Sequence, residues 1–287
     1  MTLQRAAVAG FPISHSQSPL LHGAAYAALG VEIDYTRLEV PEEDAASLAQ
    51  RLRTEPGWRG LSCTMPLKAA LVPHMDVVSE RVASLGVLNT IIVEREHGRV
   101  SLRGENTDVD GIIGALQLGA DAPRNRLAVL GGGGTAAATV AAAAQLGFAQ
   151  LDVVVRNTAR ATEARALADR LGMDCEALGI DDALERASDY DAVVSTLPPH
   201  AADAWAGPLS TAGVRPGTPL LDVAYDPWPS QLARDWASAG GTVVDGLAML
   251  VYQAVEQALL FARADATDRE AVTNVMCDAV GLPRRLF

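Results

Sequence analysis

The sequence predicts an α/β protein with two domains, the second of them a doubly wound Rossmann-type domain. Short apolar strands alternate with helical segments along most of the 287 residues, which is typical of parallel sheets covered by helices. Four consecutive glycines, Gly131–Gly134, separate such a strand from an alanine-rich helix. Aromatic residues make up only 5% of the chain, a composition that favours helices packed on an aliphatic sheet.

The first half of the chain predicts strands and helices from its hydrophobic periodicity. Strands are predicted at Ala6–Gly10, Ile33–Val40, Gly60–Thr64, Thr90–Val93 and Arg99–Leu102, the last two as a hairpin around His97-Gly98. Helices are predicted at Pro19–Leu29, Glu42–Leu52 and Asp108–Leu118, with another after Pro66. Ser18 before Pro19 fits an N-cap followed by proline at the first helical position.

The second half alternates more regularly. Its strands are predicted at Leu127–Leu130, Leu151–Val155, Asp191–Ser195, Leu220–Val223 and Thr242–Val244. Its main helices are predicted at Thr135–Leu146, Thr158–Leu171, Met249–Arg263 and Asp268–Val280. We therefore expect a substrate-binding domain of residues 1–108 plus 247–287, a nucleotide-binding domain of residues 109–246, and a cleft between the two.

Composition and charge exclude several classes of protein. The net charge is −12 and no basic stripe is visible, so binding to nucleic acid or to an anionic membrane is not expected. Cys63, Cys175 and Cys277 are far apart and have no close Cys or His partner, which predicts neither a disulfide framework nor a metal site. The first residues lack the long apolar segment of a signal peptide, so we expect a cytoplasmic protein.

The glycine run predicts a nucleotide-binding loop. Glycine lets the backbone approach a pyrophosphate closely, and the N-terminus of the following helix offers free N–H groups. The candidate loop residues are Gly131, Gly132, Gly133, Gly134 and Thr135. An acidic residue at the end of the second strand would bind the ribose hydroxyls of NAD. This chain has Arg156, Asn157 and Arg160 there, which favours the 2′-phosphate of NADP over the alternative of two solvated surface arginines.

Lys68 and Asp108 form the candidate catalytic pair. Each lies in a short segment rich in turn-forming and hydroxyl residues, and the glycine loop follows Asp108 by about twenty residues. A lysine beside a nicotinamide can supply the proton that accompanies a hydride, and a carboxylate can orient it. The pair could instead be a structural salt bridge. Whether Lys68 is the acid–base group or mainly stabilises charge stays open.

The ordered motifs of the chain resemble those of the shikimate dehydrogenase family. They are Gly10–Pro19, Thr64–Lys68, Leu88–Thr90, Gly104–Gly111, the glycine loop, Asp222–Pro227 and Asp245–Gln253. The chain departs from the usual family pattern at a few of these positions, including Ser62 and Cys63 where Asn and Val are usual.

The resemblance implies reversible reduction of 3-dehydroshikimate to shikimate with NADPH, in the biosynthesis of aromatic amino acids. It implies that Ser16 and Ser18 hold the substrate carboxylate, and that Lys68 and Asp108 are catalytic. Further substrate contacts implied by the family are Thr64, Asn89, Tyr225 and Gln253. Gly246 matches the glycine whose backbone lies near the nicotinamide. The expected partner is the small-molecule substrate, in a monomer or a homodimer.

Three alternatives stay open. One is a quinate/shikimate dehydrogenase that prefers NAD; serine at both Ser16 and Ser18 and the two arginines count against it. Another is a non-catalytic ligand-sensing module on the same fold, which should have lost Lys68 or Asp108. The third is a folate or aminoshikimate dehydrogenase of similar architecture.

Overall fold

The computed structural model describes residues 3–284. The chain divides into two compact units, Met1–Gly111 with Leu250–Phe287, and Ile112–Met249. The predicted boundaries after residues 108 and 246 each lie three residues before the boundaries of these units. The divisions fall inside two helices, Asp108–Leu116 and Gly246–Ala262.

The first unit is built on six strands with helices between them. Its strands are β1 (Gln4–Gly10), β2 (Ile33–Glu39), β3 (Trp58–Cys63), β4 (Val77–Val78), β5 (Thr90–Glu96) and β6 (Arg99–Glu105). Its helices are α1 (Ser18–Leu29), α2 (Ala45–Thr54), α3 (Leu67–Ala70), α4 (Glu80–Leu85) and the start of α5 (Asp108–Leu116). Most of α11 (Gly246–Ala262) and all of α12 (Arg269–Ala279) return to this unit.

The sheet of the first unit is mixed, with strand order β2-β1-β3-β5-β6-β4. The pairs β1–β2 and β1–β3 are parallel, whereas β5 is antiparallel to both β3 and β6. The predicted hairpin of β5 and β6 is therefore confirmed. His97 and Gly98 both have positive φ, 49° and 78°, as a tight two-residue turn between twisted strands requires.

The two faces of this sheet bury separate apolar clusters. Leu48, Leu52 and Leu61 belong to the cluster under α2, and Leu21 and Val251 belong to the cluster under α1 and α11. Gly60 lies where the second cluster meets the sheet. A Cβ there would stand 2.1 Å from Phe261, so α11 can pack this closely only on a glycine.

The second unit contains a six-stranded sheet in which every pair is parallel, in the order β12-β11-β10-β7-β8-β9. Its strands are β7 (Arg126–Leu130), β8 (Gln150–Val154), β9 (Asp174–Leu178), β10 (Ala192–Ser195), β11 (Pro219–Asp222) and β12 (Thr242–Asp245). Its helices are α6 (Gly134–Leu146), α7 (Thr162–Arg170), α8 (Ile180–Glu185), α9 (Asp203–Thr211) and α10 (Gln231–Ser238). The strand order reverses between β7 and β10, which confirms the predicted doubly wound fold.

The start of α1 differs from the prediction. Ser18 is the first residue of the helix rather than its N-cap, and Gln17 occupies the cap position without a side-chain cap. The Ser18 N–H instead donates to the Ser16 hydroxyl oxygen, at 3.3 Å between nitrogen and oxygen. Within residues 3–284, no helix is long and apolar enough to cross a membrane.

Candidate active site

Lys68 and Asp108 form an ion pair in the first unit. Lys68 lies on α3 and Asp108 is the first residue of α5, and Lys68 Nζ stands 2.5 Å from Asp108 Oδ2. The Asp108 side chain is 6% exposed and that of Lys68 is 17% exposed. The carboxylate is therefore enclosed, while the ammonium group keeps some access to the outside.

Neighbouring amides fix the Asp108 side chain and its backbone. The second carboxylate oxygen, Oδ1, accepts a hydrogen bond of 2.8 Å from Asn89 Nδ2. The backbone N–H of Asp108 donates to Asn106 Oδ1 at 3.0 Å. As the first residue of α5, Asp108 also lies at the positive end of the helix dipole.

Backbone hydrogen bonds bring Lys68 beside Asn89. Leu67 N–H donates to the Thr64 carbonyl at 2.8 Å, which closes the turn before α3. Leu88 N–H donates to the Lys68 carbonyl at 2.9 Å. Asn89 directly follows Leu88 in the chain. The hydrogen bond from Leu88 to the Lys68 carbonyl therefore keeps Lys68 and Asn89 close together, and both side chains contact Asp108.

Asn89 is the centre of a larger hydrogen-bonded group. Its Nδ2 also lies 3.3 Å from Gln253 Oε1 and 3.0 Å from Thr107 Oγ1. Its Oδ1 accepts from the Thr107 N–H at 2.7 Å. Of the predicted site residues, the structure thus brings Lys68, Asp108, Asn89 and Gln253 into one group.

Of the predicted carboxylate-binding serines, Ser16 lies in the loop after β1 and Ser18 is the first residue of α1. Ser16 and Ser18 are 5% and 4% exposed, and the Ser16 hydroxyl donates to that of Ser18 at 3.2 Å. The guanidinium of Arg37 holds the loop by donating to the Ser16 carbonyl through Nε at 3.0 Å. Thr64 packs on the end of the same strand, because a Cβ on Gly10 would stand 2.4 Å from Thr64 Cγ2.

Tyr225 and Gly246 belong to the second unit, so their placement beside Lys68 stays a prediction. Gly246 opens α11 directly after β12, and a Cβ there would lie 2.5 Å from the Val223 carbonyl oxygen. Only glycine lets α11 begin this close to the backbone that follows β11. Burial raises the pKa of Asp245, the residue before it.

A cavity of about 640 Å³ lies at the carboxyl ends of β7, β8 and β10 in the second unit. Of the predicted nucleotide-binding residues, Gly131, Gly132, Gly133, Arg156 and Arg160 line it. Gly134 and Thr135 form the first turn of α6 next to this loop. Asn157 does not line the cavity; its side chain accepts from the Ala159 N–H at 3.1 Å and caps a short 3-10 helix.

The backbone conformation of the loop explains why its first residue, Gly131, is a glycine. Gly131 has φ of +114°, which disfavours any other residue, and a Cβ there would lie 2.5 Å from Thr196 Oγ1. The helix that follows has 13 residues and directs its N-terminus toward the loop. Backbone donors and the helix dipole at this position make a site for a phosphate group.

The comparisons with known proteins agree with one another. The family model for the shikimate dehydrogenase substrate binding domain matches residues 8–91. A shikimate dehydrogenase (NADP(+)) from Moorella thermoacetica is 33% identical over 276 residues, which cover 94% of this chain and 90% of the relative. This chain belongs to the shikimate dehydrogenase family.

Solved structures of the family share the whole fold. The crystal structure of Mycobacterium tuberculosis shikimate dehydrogenase is 36% identical, with a TM-score of 0.83 and coverage of 96% of this chain and 99% of that chain. The Thermus thermophilus enzyme, solved in complex with NADP(H) and shikimate, is 29% identical, with a TM-score of 0.77 and coverage of 96% and 99%. Across residues 3–284 of the family member described here, no cluster of His, Cys, Asp or Glu is arranged to hold a metal ion.

Sequence reasoning missed several residues of the nucleotide-site cavity. Leu197 and Pro198 line it from the loop after β10, and Glu163 and Trp205 line it from α7 and α9. The position of Leu197-Pro198 could have been predicted, because ligands of doubly wound sheets bind where the strand order reverses. Glu163 and Trp205 reach the cavity only through the packing of their helices, which no local pattern reveals.

Proposed function

We propose that this chain catalyses the reversible, NADPH-dependent reduction of 3-dehydroshikimate to shikimate. The observation that carries the proposal is the Lys68–Asp108 pair, 2.5 Å apart and held by Asn89, in a member of the shikimate dehydrogenase family. The Thermus thermophilus relative was solved with NADP(H) and shikimate, which supports the same pair of ligands here.

Lys68 is the proton donor for ketone reduction. Reduction adds a hydride to the carbonyl carbon and a proton to the carbonyl oxygen, and the nicotinamide of bound NADPH supplies the hydride. A lysine ammonium stabilises the negative charge that develops on that oxygen and can then donate its proton. In the reverse direction, the amine accepts the proton of the hydroxyl group. Asp108 keeps Lys68 in place and accepts a hydrogen bond from a substrate hydroxyl.

Hydroxyl and amide groups of the first unit bind the rest of the substrate. Ser16 and Ser18 donate to the carboxylate, which is the chemistry their paired hydroxyls suit. Further contacts come from Thr64, Asn89 and Gln253 in the first unit and Tyr225 in the second.

The cavity of the second unit suits NADPH. Gly131–Gly134 and Thr135 would hold the pyrophosphate at the start of α6, while Arg156 and Arg160 would hold the 2′-phosphate, with Asn157 beside them. Both guanidinium groups are exposed, and neither forms an ion pair with a carboxylate of residues 3–284 at 4 Å or less. Gly246 would let the nicotinamide approach the backbone.

These assignments give the two parts of the chain separate roles. Residues 1–108 with 247–287 form the substrate-binding and catalytic domain, and residues 109–246 form the NADP-binding domain. The match of residues 8–91 to a substrate binding domain supports the first assignment. We also propose a cytoplasmic enzyme that is a monomer or a homodimer, which light scattering can decide.

The test is a steady-state assay of the purified protein with shikimate or quinate, each with NADP or NAD. We expect the highest kcat/KM with shikimate and NADP. Turnover of quinate with NAD above that of shikimate with NADP would contradict the proposal, and so would the absence of turnover with all four pairs.

Lys68→Ala tests the assigned proton donor. We expect kcat to fall by about 10²- to 10⁴-fold, the range for loss of a positioned acid–base group, with an unchanged circular dichroism spectrum. Arg103→Ala is the matched control, because Arg103 is a cation of the same unit that pairs with Glu94 at the surface. Near-full turnover of Lys68→Ala would refute the role of Lys68.

A further inference from the structure

We propose that Gln257 is a positioning residue for the Lys68–Asp108 pair and acts on it through Thr90 and Asn89. The proposal rests on the proposed function, because it takes this pair as the site of proton transfer. Gln257 lies on α11 and is 1% exposed. It follows Gln253 by four residues, so both glutamines lie on the same face of the helix and both reach Asn89.

Gln257 uses every polar atom of its side chain. Its Oε1 accepts a hydrogen bond of 2.6 Å from the Ser62 hydroxyl. Its Nε2 donates to Thr90 Oγ1 at 2.9 Å and to the Asn89 carbonyl at 3.1 Å. An amide that makes one acceptor contact and two donor contacts has its orientation fixed by those neighbours.

The donor and acceptor roles in these hydrogen bonds determine which atom of the Asn89 amide faces Thr90. Because Gln257 Nε2 donates to Thr90 Oγ1, the Thr90 hydroxyl is left to donate its own hydrogen, and it does so to Asn89 Oδ1 at 2.7 Å. With Oδ1 held as an acceptor by the Thr90 hydroxyl and by the Thr107 N–H, Asn89 presents Nδ2 to Asp108 Oδ1. The opposite orientation of Asn89 would place a carbonyl oxygen against the carboxylate.

The same chain of hydrogen bonds continues to Tyr35 on β2. The Tyr35 hydroxyl donates to Ser62 Oγ at 2.7 Å. Because the Ser62 hydroxyl donates to Gln257 Oε1, Gln257 joins Tyr35 to the group that holds Asp108.

The side chains in this series of hydrogen bonds are buried, so the loss of any one of them should disturb its neighbours. Ser62, Thr90 and Asn89 are 4%, 0% and 2% exposed, so solvent has little access to a lost partner's position. A buried polar group that loses its partner bears its full desolvation penalty and drives rearrangement of its neighbours. Loss of Gln257 should therefore let Asn89 shift from its position, because the Asn89 carbonyl loses a donor and the Thr90 hydroxyl loses the contact that orients it.

The first test compares Gln257→Leu with wild-type enzyme in the shikimate and NADP assay. Leucine has a similar size but makes no hydrogen bonds, so we expect kcat to fall about 10- to 100-fold, part of the 10²- to 10⁴-fold that positioned proton transfer contributes. We expect KM for NADP to change less than about twofold, since the nucleotide cavity lies in the other unit. Val255→Ala is the control, a buried truncation on α11 that removes no hydrogen bond.

Gln257→Glu tests the positioning role through the pH dependence of kcat, which a purely structural role of Gln257 would leave unchanged. A protonated glutamate can accept from Ser62 and still donate one hydrogen bond, whereas an ionised one can only accept. We therefore expect its kcat, relative to wild type, to rise as the pH falls. Thr90→Val removes only the hydroxyl between Gln257 and Asn89 and should show the same loss of kcat as Gln257→Leu.

A crystal structure of Gln257→Leu separates this proposal from the proposed function. We expect the Asn89 amide to have left Asp108 Oδ1, whether or not shikimate proves to be the substrate. An unchanged Asn89–Asp108 contact, or a kcat of Gln257→Leu within twofold of wild type, overturns the positioning role. If that variant does not fold, a Thr90→Val enzyme with wild-type kcat and a Gln257→Glu enzyme with a wild-type pH profile overturn it equally.

Discussion

Lowering the pH should destabilise the first unit through one buried histidine. His22 lies on α1 with no exposed surface, stacks on Tyr35 at 3.9 Å between ring centroids, and places Nδ1 3.0 Å from the Tyr26 hydroxyl. Burial lowers the pKa of His22 to about 3, and the Gln257 side chain opposes that shift only in part. His22 is thus neutral in the folded chain at any pH above this value.

The sign and size of the effect follow from proton linkage. Histidine in an unfolded chain titrates near 6.5, so between about pH 6.5 and pH 3 the unfolded chain binds a proton that the folded chain does not. Each pH unit within this window lowers the free energy of unfolding by about 1.4 kcal/mol. A change from about pH 6.5 to about pH 5 removes roughly 2 kcal/mol, a substantial part of a typical stability of ~5–15 kcal/mol.

The assay is urea unfolding of wild-type protein and His22→Gln at about pH 6.5 and about pH 5, with hydrogen exchange of the α1 amides to report on the first unit. Glutamine does not titrate, and its amide can still hydrogen-bond Tyr26. We expect the wild type to lose roughly 2 kcal/mol more than the variant over this interval. Equal losses in the two proteins would refute the assignment of the pH dependence to His22.

Three further perturbations test the sites. Arg156→Ala should raise KM for NADP about 10- to 100-fold and KM for NAD little, because only NADP carries the 2′-phosphate. Arg165, an exposed residue of α7 that does not line the cavity, gives the control variant Arg165→Ala. Equal effects of Arg156→Ala on the two KM values, or a similar effect of Arg165→Ala, would count against the contact. Gly131→Ala should weaken NADP binding in calorimetry, whereas Gly119→Ala, at an exposed position of the same unit where a Cβ meets nothing within 4 Å, should not. Cys63 is buried and burial raises its thiol pKa, so iodoacetamide should label it in mass spectrometry only after unfolding.

The sequence predicted the second unit well because its signals are local. The strand before the glycine loop, the loop itself and the alanine-rich helix stand next to each other in the chain, and β7 and α6 lie within one residue of their predicted bounds. The strand β9 was missed. It lies at the edge of the sheet and begins with Asp174, and its five residues include two acidic ones, so it lacks the apolar run of an interior strand.

The candidate active site was predictable only in part. Lys68, Asp108 and Asn89 lie in short motifs, and the structure places Lys68 and Asn89 each within hydrogen-bonding distance of Asp108. The contact of Ser62 with Gln257 joins residues 195 positions apart, and periodicity carries no information about such a pairing. Gln257 itself lies on α11 next to Glu256, and its position in the helix gives no indication of its partners.

The contacts of Asp108 decide how it shares the chemistry with Lys68. One carboxylate oxygen accepts from the Lys68 ammonium and the other accepts from Asn89, so both oxygens already hold N–H donors. A proton added to either oxygen would displace one of these donors. Lys68 is the more exposed of the two and carries protons that can leave. We therefore infer that the proton moves at Lys68, while Asp108 fixes where that transfer takes place.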